Sequence, residues 1–257
     1  MMTDRKLAKR HLPRQVKARS THQAKGGLSD GGEVSKLQVL MDKLDTQLLS
    51  EKYQKGIATC NKILSIDPTN VRAYFNLGLC NQRLKRYKEA IAYYDNTLQI
   101  DPSHLIAIMN RTISLEESGE LTETVEAYEE ILKLAMVNSN KPVAMVALCN
   151  LYRYVECILI CNEILAENPY DPDGLFYKAY ALLKIYKIPD ALDTAIELLK
   201  IQPSNIYALN LIGEAHIFMN NYEIALKAYR TILKINPGDQ HALKGVVSIE
   251  RKLQSFN

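Results

Sequence analysis

Five prolines set the frame of this chain. Pro68, Pro102, Pro169, Pro203 and Pro237 are separated by 34, 67, 34 and 34 residues. Each closes a segment of one shape: YQKGIATCNKILSIDP at 53–68, YKEAIAYYDNTLQIDP at 87–102, YVECILICNEILAENP at 154–169, IPDALDTAIELLKIQP at 188–203 and YEIALKAYRTILKINP at 222–237. The double spacing hides a sixth copy, LTETVEAYEEILKLAM at 121–136, with Met136 in the proline slot and one residue lost near 138. Self-similarity at a fixed period of this size means stacked copies of one small unit.

Within each copy the apolar residues follow a helical period, as in Ala90, Ile91, Tyr94, Thr97 and Leu98 or Ala225, Leu226, Tyr229, Ile232 and Leu233. A small residue in the first turn (Gly56, Ala90, Cys157, Ala191, Ala225) permits close approach of another helix. The closing proline cannot continue a helix and pushes its predecessor to extended angles. Upstream of each copy lies a second helical stretch, such as VRAYFNLGLCNQRL or IYALNLIGEAHIFM. Gly78 and Gly213 inside these stretches cost helix stability, so close packing is the expected reason for them. A pair of such short helices cannot bury its apolar stripes alone, whereas a stack can. QHALKGVVSIERKLQSF at 240–256 reads as a final amphipathic helix covering the open end of the stack.

The net charge of +3 conceals an asymmetry. Residues 1–25 carry Arg5, Lys6, Lys9, Arg10, Arg14, Lys17, Arg19 and Lys25 against Asp4 alone, a balance of +7; the remainder carries −4. GGLSDGG at 26–32 reads as a flexible hinge between this arm and the repeats. The arm has three readings: a solvated tail, a mitochondrial presequence, or a functional arm for nucleic acid or an acidic protein surface. No apolar run reaches the length of a membrane span, and none follows the basic start as a secretory signal requires. Five cysteines without framework spacing point to free thiols in a reducing compartment. The expected location is the cytoplasm, with mitochondrial or nuclear placement as alternatives.

No residue pattern announces chemistry. Cys149, Cys157 and Cys161 lack a CxxC pair or a neighbouring His, and Cys157 and Cys161 fill packing slots, so no metal site is expected. His11, His22, His104, His216 and His241 are scattered without a nucleophile partner, and no Gly-rich phosphate loop occurs. The repeats consume residues 37–256, leaving no room for a catalytic domain. No enzyme activity and no cofactor are expected.

The chain resembles the tetratricopeptide-repeat family, built from 34-residue helix–turn–helix units. The segment 71–104 carries Tyr74, Leu77, Gly78, Ala90, Tyr94 and Pro102 at the family's marked positions; 206–239 carries Leu209, Gly213, Ala225, Tyr229 and Pro237. The resemblance implies an all-α, right-handed solenoid of six units (37–70, 71–104, 105–137, 138–171, 172–205, 206–239), preceded by a tail at 1–36 and closed by a capping helix at 240–257. Two units depart from the pattern: the third has Thr124 and Met136, and the fourth has Pro142, expected to shorten or kink its first helix. The resemblance also implies a protein-binding scaffold whose first helices line a concave groove. The groove residues expected on this basis are Arg72, Phe75, Asn76, Met109, Asn110, Ile113, Phe176, Tyr177, Tyr180, Tyr207 and Asn210. Asn76 and Asn110, 34 apart, form a two-rung ladder for a peptide main chain. Family members that grip a chaperone's C-terminal carboxylate use a cationic clamp. Here the matching slots around Asn76 hold Met41, Asp45, Ile106 and Asn110, and those around Asn110 hold Phe75, Leu79, Ser139 and Pro142, so that function is not expected. The alternative role is a constitutive subunit of a large assembly, anchored by the basic arm.

Overall fold

A computed structural model describes residues 31–254 of the chain, with side chains from residue 36. The described residues form thirteen α-helices and no strand. In order they are α1 (Gly31–Leu49), α2 (Tyr53–Leu64), α3 (Val71–Arg83), α4 (Tyr87–Ile100), α5 (Leu105–Ser118), α6 (Leu121–Val137), α7 (Lys141–Asn150), α8 (Tyr154–Glu167), α9 (Pro172–Lys184), α10 (Ile188–Ile201), α11 (Ile206–Phe218), α12 (Tyr222–Ile235) and α13 (Gln240–Gln254). They fall into two compact units that divide at Ile131–Leu132. The helix α1 begins at Gly31 and so includes the last two glycines of the run read as a hinge. The basic arm, including Arg5, Lys6, Lys9, Arg10, Arg14, Lys17 and Arg19, lies outside the described residues.

Each first helix ends in the same way. Glu51, Lys85, Gly119, Tyr152, Tyr186 and Asn220 all adopt left-handed angles, with φ between 55° and 89°. Around them the chain closes a six-to-one backbone bond onto the last helical turn, as in Arg86 N–H to Asn81 O at 2.9 Å and Lys187 N–H to Leu182 O at 3.0 Å. These positions recur every 34 residues except for the step from Gly119 to Tyr152, which is 33. The missing residue therefore lies between them.

The third connector shows why. Where Pro102, Pro169, Pro203 or Pro237 stands, its predecessor is pushed to extended angles, as at Asp101 (φ −128°, ψ 87°) and Asn236 (φ −135°, ψ 92°). With Met136 in that slot nothing stops the helix, and α6 runs for 17 residues against 14 in α4, α8, α10 and α12. The chain then turns through Ser139 at φ 52°. Pro142 does not kink the next helix. It sits in the first turn of α7, whose amide N–H groups need no intrahelical partner, behind an Asn140 cap. The fourth unit's first helix is thereby shortened to 10 residues, and Ser139 falls outside it.

The first helices mostly start with a side-chain cap: Asn70 accepts from Ala73 N–H at 2.9 Å, Asp171 from Gly174 N–H at 2.7 Å and Asn205 from Ala208 N–H at 3.0 Å. The second helices lack one, because the chain enters them directly from the left-handed turn. A non-glycine residue in that turn costs about 1 kcal/mol of backbone strain. Lys85→Gly, on an exposed turn, is expected to raise stability by up to about 1 kcal/mol, less the entropy that Gly adds to the unfolded chain. A thermal melt that does not rise would show that the turn is unstrained.

Within residues 36–131, Met41, Leu44, Cys60, Ile63, Ala73 and Leu77 form one core layer, and Ala90, Tyr94 and Ala107 form another. Tyr94 explains Gly78: a Cβ there would stand 2.5 Å from the ring. Within residues 132–254, Tyr229 lies against Gly213 of α11 and Gly245 of α13, and a Cβ at either would come within 2.9 Å of its ring.

Candidate functional site

In residues 36–131, the first helices α1, α3 and α5 carry the expected partner-facing residues. Arg72 of α3 pairs with Asp45 of α1, both side chains being nearly half exposed. Phe75 is half-buried, stacked on His104 with ring centres 5.1 Å apart and tilted against Tyr94 at 5.9 Å. Met109, Asn110 and Ile113 lie half-buried on α5. Gln82 joins the helices: its amide donates to Asn110 O at 3.1 Å and Ser114 Oγ at 3.2 Å, and accepts from Tyr94 Oη–H at 3.3 Å. Burial pushes the Tyr94 phenol well above its ordinary range, so it stays a neutral donor.

The ladder reading changes at its first rung. Asn76 is 5% exposed, and its amide donates to the Arg72 carbonyl of its own helix at 2.8 Å. The side chain is turned back onto α3, whereas Asn110 keeps an accessible edge.

The corresponding residues of 132–254 are interior. Phe176 is 1% exposed, Tyr177 0% and Tyr180 4%, which corrects the expectation of exposed anchoring rings. The cause is the place of α9, which touches α7 and α11 as well as α8 and α10 and is buried over Gly174–Tyr177 and Ala179–Leu183. Phe176 meets Tyr177, Tyr180 and Tyr207 at 5.1, 6.2 and 5.9 Å. The signal was present in the sequence: Gly174–Tyr177 and Ala179–Leu183, broken only by Lys178, spread apolar residues over most of the helix, the pattern of a helix largely buried. Tyr207 alone of these aromatics is half-buried. Asn210 is 2% exposed and its Oδ1 bonds to His241 Nδ1 at 3.0 Å, tying α11 to the final helix.

A polar cluster went unread in the sequence. Lys184 Nζ lies 3.9 Å from Glu214 Oε2 and 5.0 Å from the Tyr180 ring centre, while His241 Nε2 lies 3.8 Å from Glu214 Oε1. Its members come from α9, α11 and α13, and only the fold brings them together.

The five thiols are free and buried. Cys157 and Cys161 have sulfurs 4.0 Å apart, and Cys157 Sγ–H reaches Met145 O at 3.5 Å. Among the described residues no group of three or more His, Cys, Asp or Glu is arranged to hold a metal ion. Burial raises the Cys60 thiol to about 12 and Cys80 to about 11. The thiolate is the reactive form. Cys60 and Cys80 are therefore expected to resist alkylation at pH 8 in the native protein and to react in denaturant. Rapid modification of Cys60 or Cys80 under native conditions would contradict this burial.

Two family models match, each described as tetratricopeptide repeat, over residues 71–104 and 206–239. These two segments of the chain are tetratricopeptide repeats. It is 29% identical over 105 residues to the Hsp70-Hsp90 organizing protein of Triticum aestivum, a match covering 41% of this chain and 18% of that protein. The chain thus spans under a fifth of the curated relative it matches. Among solved structures it is similar to Pseudomonas aeruginosa pilF, with a TM-score of 0.63, 17% identity and coverage of 86% of this chain and 99% of that one. It is also similar to a thermophilic TPR protein of Thermus thermophilus, with a TM-score of 0.57, 15% identity and coverage of 70% and 98%. These likenesses support an all-α repeat solenoid. No helix among the described residues is long and apolar enough to cross a membrane.

Proposed function

We propose that the chain is a non-enzymatic scaffold of a reducing compartment such as the cytoplasm, holding a segment of a partner protein on the first helices of its repeats. Residues 36–131 supply the principal contact surface. The observation that carries this reading is the accessible strip of Arg72, Phe75, Met109, Asn110 and Ile113 on neighbouring helices α3 and α5. Half-buried aromatic and apolar side chains with polar groups at their margin are what an interface core requires. Tyr207 is a secondary contact. Phe176, Tyr177, Tyr180, Asn76 and Asn210 act beneath the surface, by fixing the helices.

The name of the wheat relative raises a chaperone-tail reading. The slots that a carboxylate clamp needs are occupied here by Met41, Asp45, Ile106 and Asn110. Asp45 already neutralises Arg72, so this surface offers no uncompensated cationic pair to a terminal carboxylate. An internal segment of a partner suits it better.

The test is selection of peptides from a random displayed library against the full chain. Selected peptides are expected to bind Met109→Glu or Ile113→Glu protein about tenfold or more weakly, with the variants' melts close to wild type. Amidation of the peptide C-terminus is expected to change nothing. Equal binding to the variants would overturn the surface, and loss on amidation would restore the clamp. The alternative, an assembly subunit held by its +7 arm, predicts that association falls steeply with salt.

A further inference from the structure

The final helix has two unlike faces. Its inner face packs Ala242, Val246, Ile249 and Leu253 onto α11 and α12. Its outer face carries Leu243, 38% exposed, and Val247, 46% exposed, four residues apart. With Lys244, Ser248, Arg251 and Lys252 they line an open depression of about 660 Å³. This face shows an apolar pair surrounded by three bases, with no acid in the lining. Glu250, the acid beside it in the sequence, is bonded to Arg230 at 2.8 Å.

The chain itself contains the complement. In α6, Leu121 is 55% exposed and Val125 54% exposed, again four residues apart. The next residue on that side is Glu129, where the final helix has Arg251: LTETVEAYE at 121–129 against LKGVVSIER at 243–251. Glu130, exposed, stands where the final helix has Lys252, and Glu123 and Glu126 are exposed on the same helix.

We propose that the outer face of α13 docks onto the α6 face of a second copy of this chain, apolar pair on apolar pair and bases against acids. Two different surfaces meet, so the contact is heterologous and builds head-to-tail assemblies, rings where the rotation closes and open chains where it does not. One helix on one helix buries less than a standard interface, so association is weak and rises with protein concentration. A bilayer is a poorer occupant. The apolar strip is two residues wide, and the rest of the helix's apolar surface is already packed inward.

Sedimentation velocity of the full chain across a wide concentration range tests this. Wild type is expected to shift to larger species as concentration rises, and less so at high salt. Val247→Glu and Val125→Lys, both at exposed sites, are each expected to weaken the association about tenfold or more, with unchanged thermal melts. Reversing the charge of Lys244 and Arg251 to Glu is expected to abolish association. Adding Glu126→Lys and Glu129→Lys to that variant is expected to restore it. A wild-type monomer at every concentration overturns the proposal. So does association that survives Val247→Glu, or that falls with Val247→Glu and ignores every change in α6, since the occupant would then lie elsewhere.

Discussion

Phe176→Ala is expected to lower stability by about 3–5 kcal/mol, the cost of removing a large aromatic side chain from a packed interior. The ring is 1% exposed and is bounded by Tyr177, Tyr180 and Tyr207, residues of α9 and α11. No solvent can fill the space without meeting apolar walls, and the surrounding helices relax only in part. Stability in stacked repeats is a sum of unit and neighbour terms. The loss should therefore concentrate on α9 and its contacts with α7 and α11. Chemical denaturation with amide exchange reads both quantities. A loss below about 1 kcal/mol together with impaired peptide binding would mean that the ring serves the surface after all.

The repeat period, the helix pairs and the close-packing role of Gly78 and Gly213 were legible because each leaves a local trace. Proline at fixed spacing, a 3.6-residue apolar period and a costly glycine are all written in single segments. Ala90 and Ala225, equivalent positions in their units, are both fully buried, as their shared slot requires. The location of the missing residue was also legible, because Met136 cannot stop a helix as proline does.

The partner-facing surface was less legible. Family register places Phe75 and Phe176 in similar slots, yet one is half-buried and the other sealed. The difference lies in neighbours. Phe176 sits on a helix whose only charged residues are Asp173, Lys178 and Lys184, whereas α3 carries Arg72, Asn76, Asn81, Gln82 and Arg83. Register assigns a direction to a side chain, while exposure depends on what the next helix brings. The Lys184, Glu214 and His241 cluster shows the same limit, since its members stand 27 to 57 residues apart in sequence.

Ending the chain at Asp239 is expected to have the other large effect. The final helix covers Tyr222, Ala225, Tyr229 and Ile232 with Ala242, Val246, Ile249 and Leu253. The Tyr229 ring is held between two glycines, and removing α13 takes away the wall formed by Gly245. Each large side chain so uncovered forfeits about 1.5–3 kcal/mol of burial. The bonds from His241 to Asn210 and from Glu250 to Arg230 are lost as well. The truncated protein is expected to melt well below the full chain, with α11 and α12 exchanging first, and to aggregate through the bared apolar face. A milder variant isolates the cause. Ile249→Ala keeps the helix and should cost about 2–5 kcal/mol, since Ile249 is 3% exposed. Val247→Glu, on the opposite side of the same helix, should cost almost nothing. If both substitutions lower the melt equally, the helix has no distinct inner face; if neither does, it is no cap, and the last repeat is stable without it.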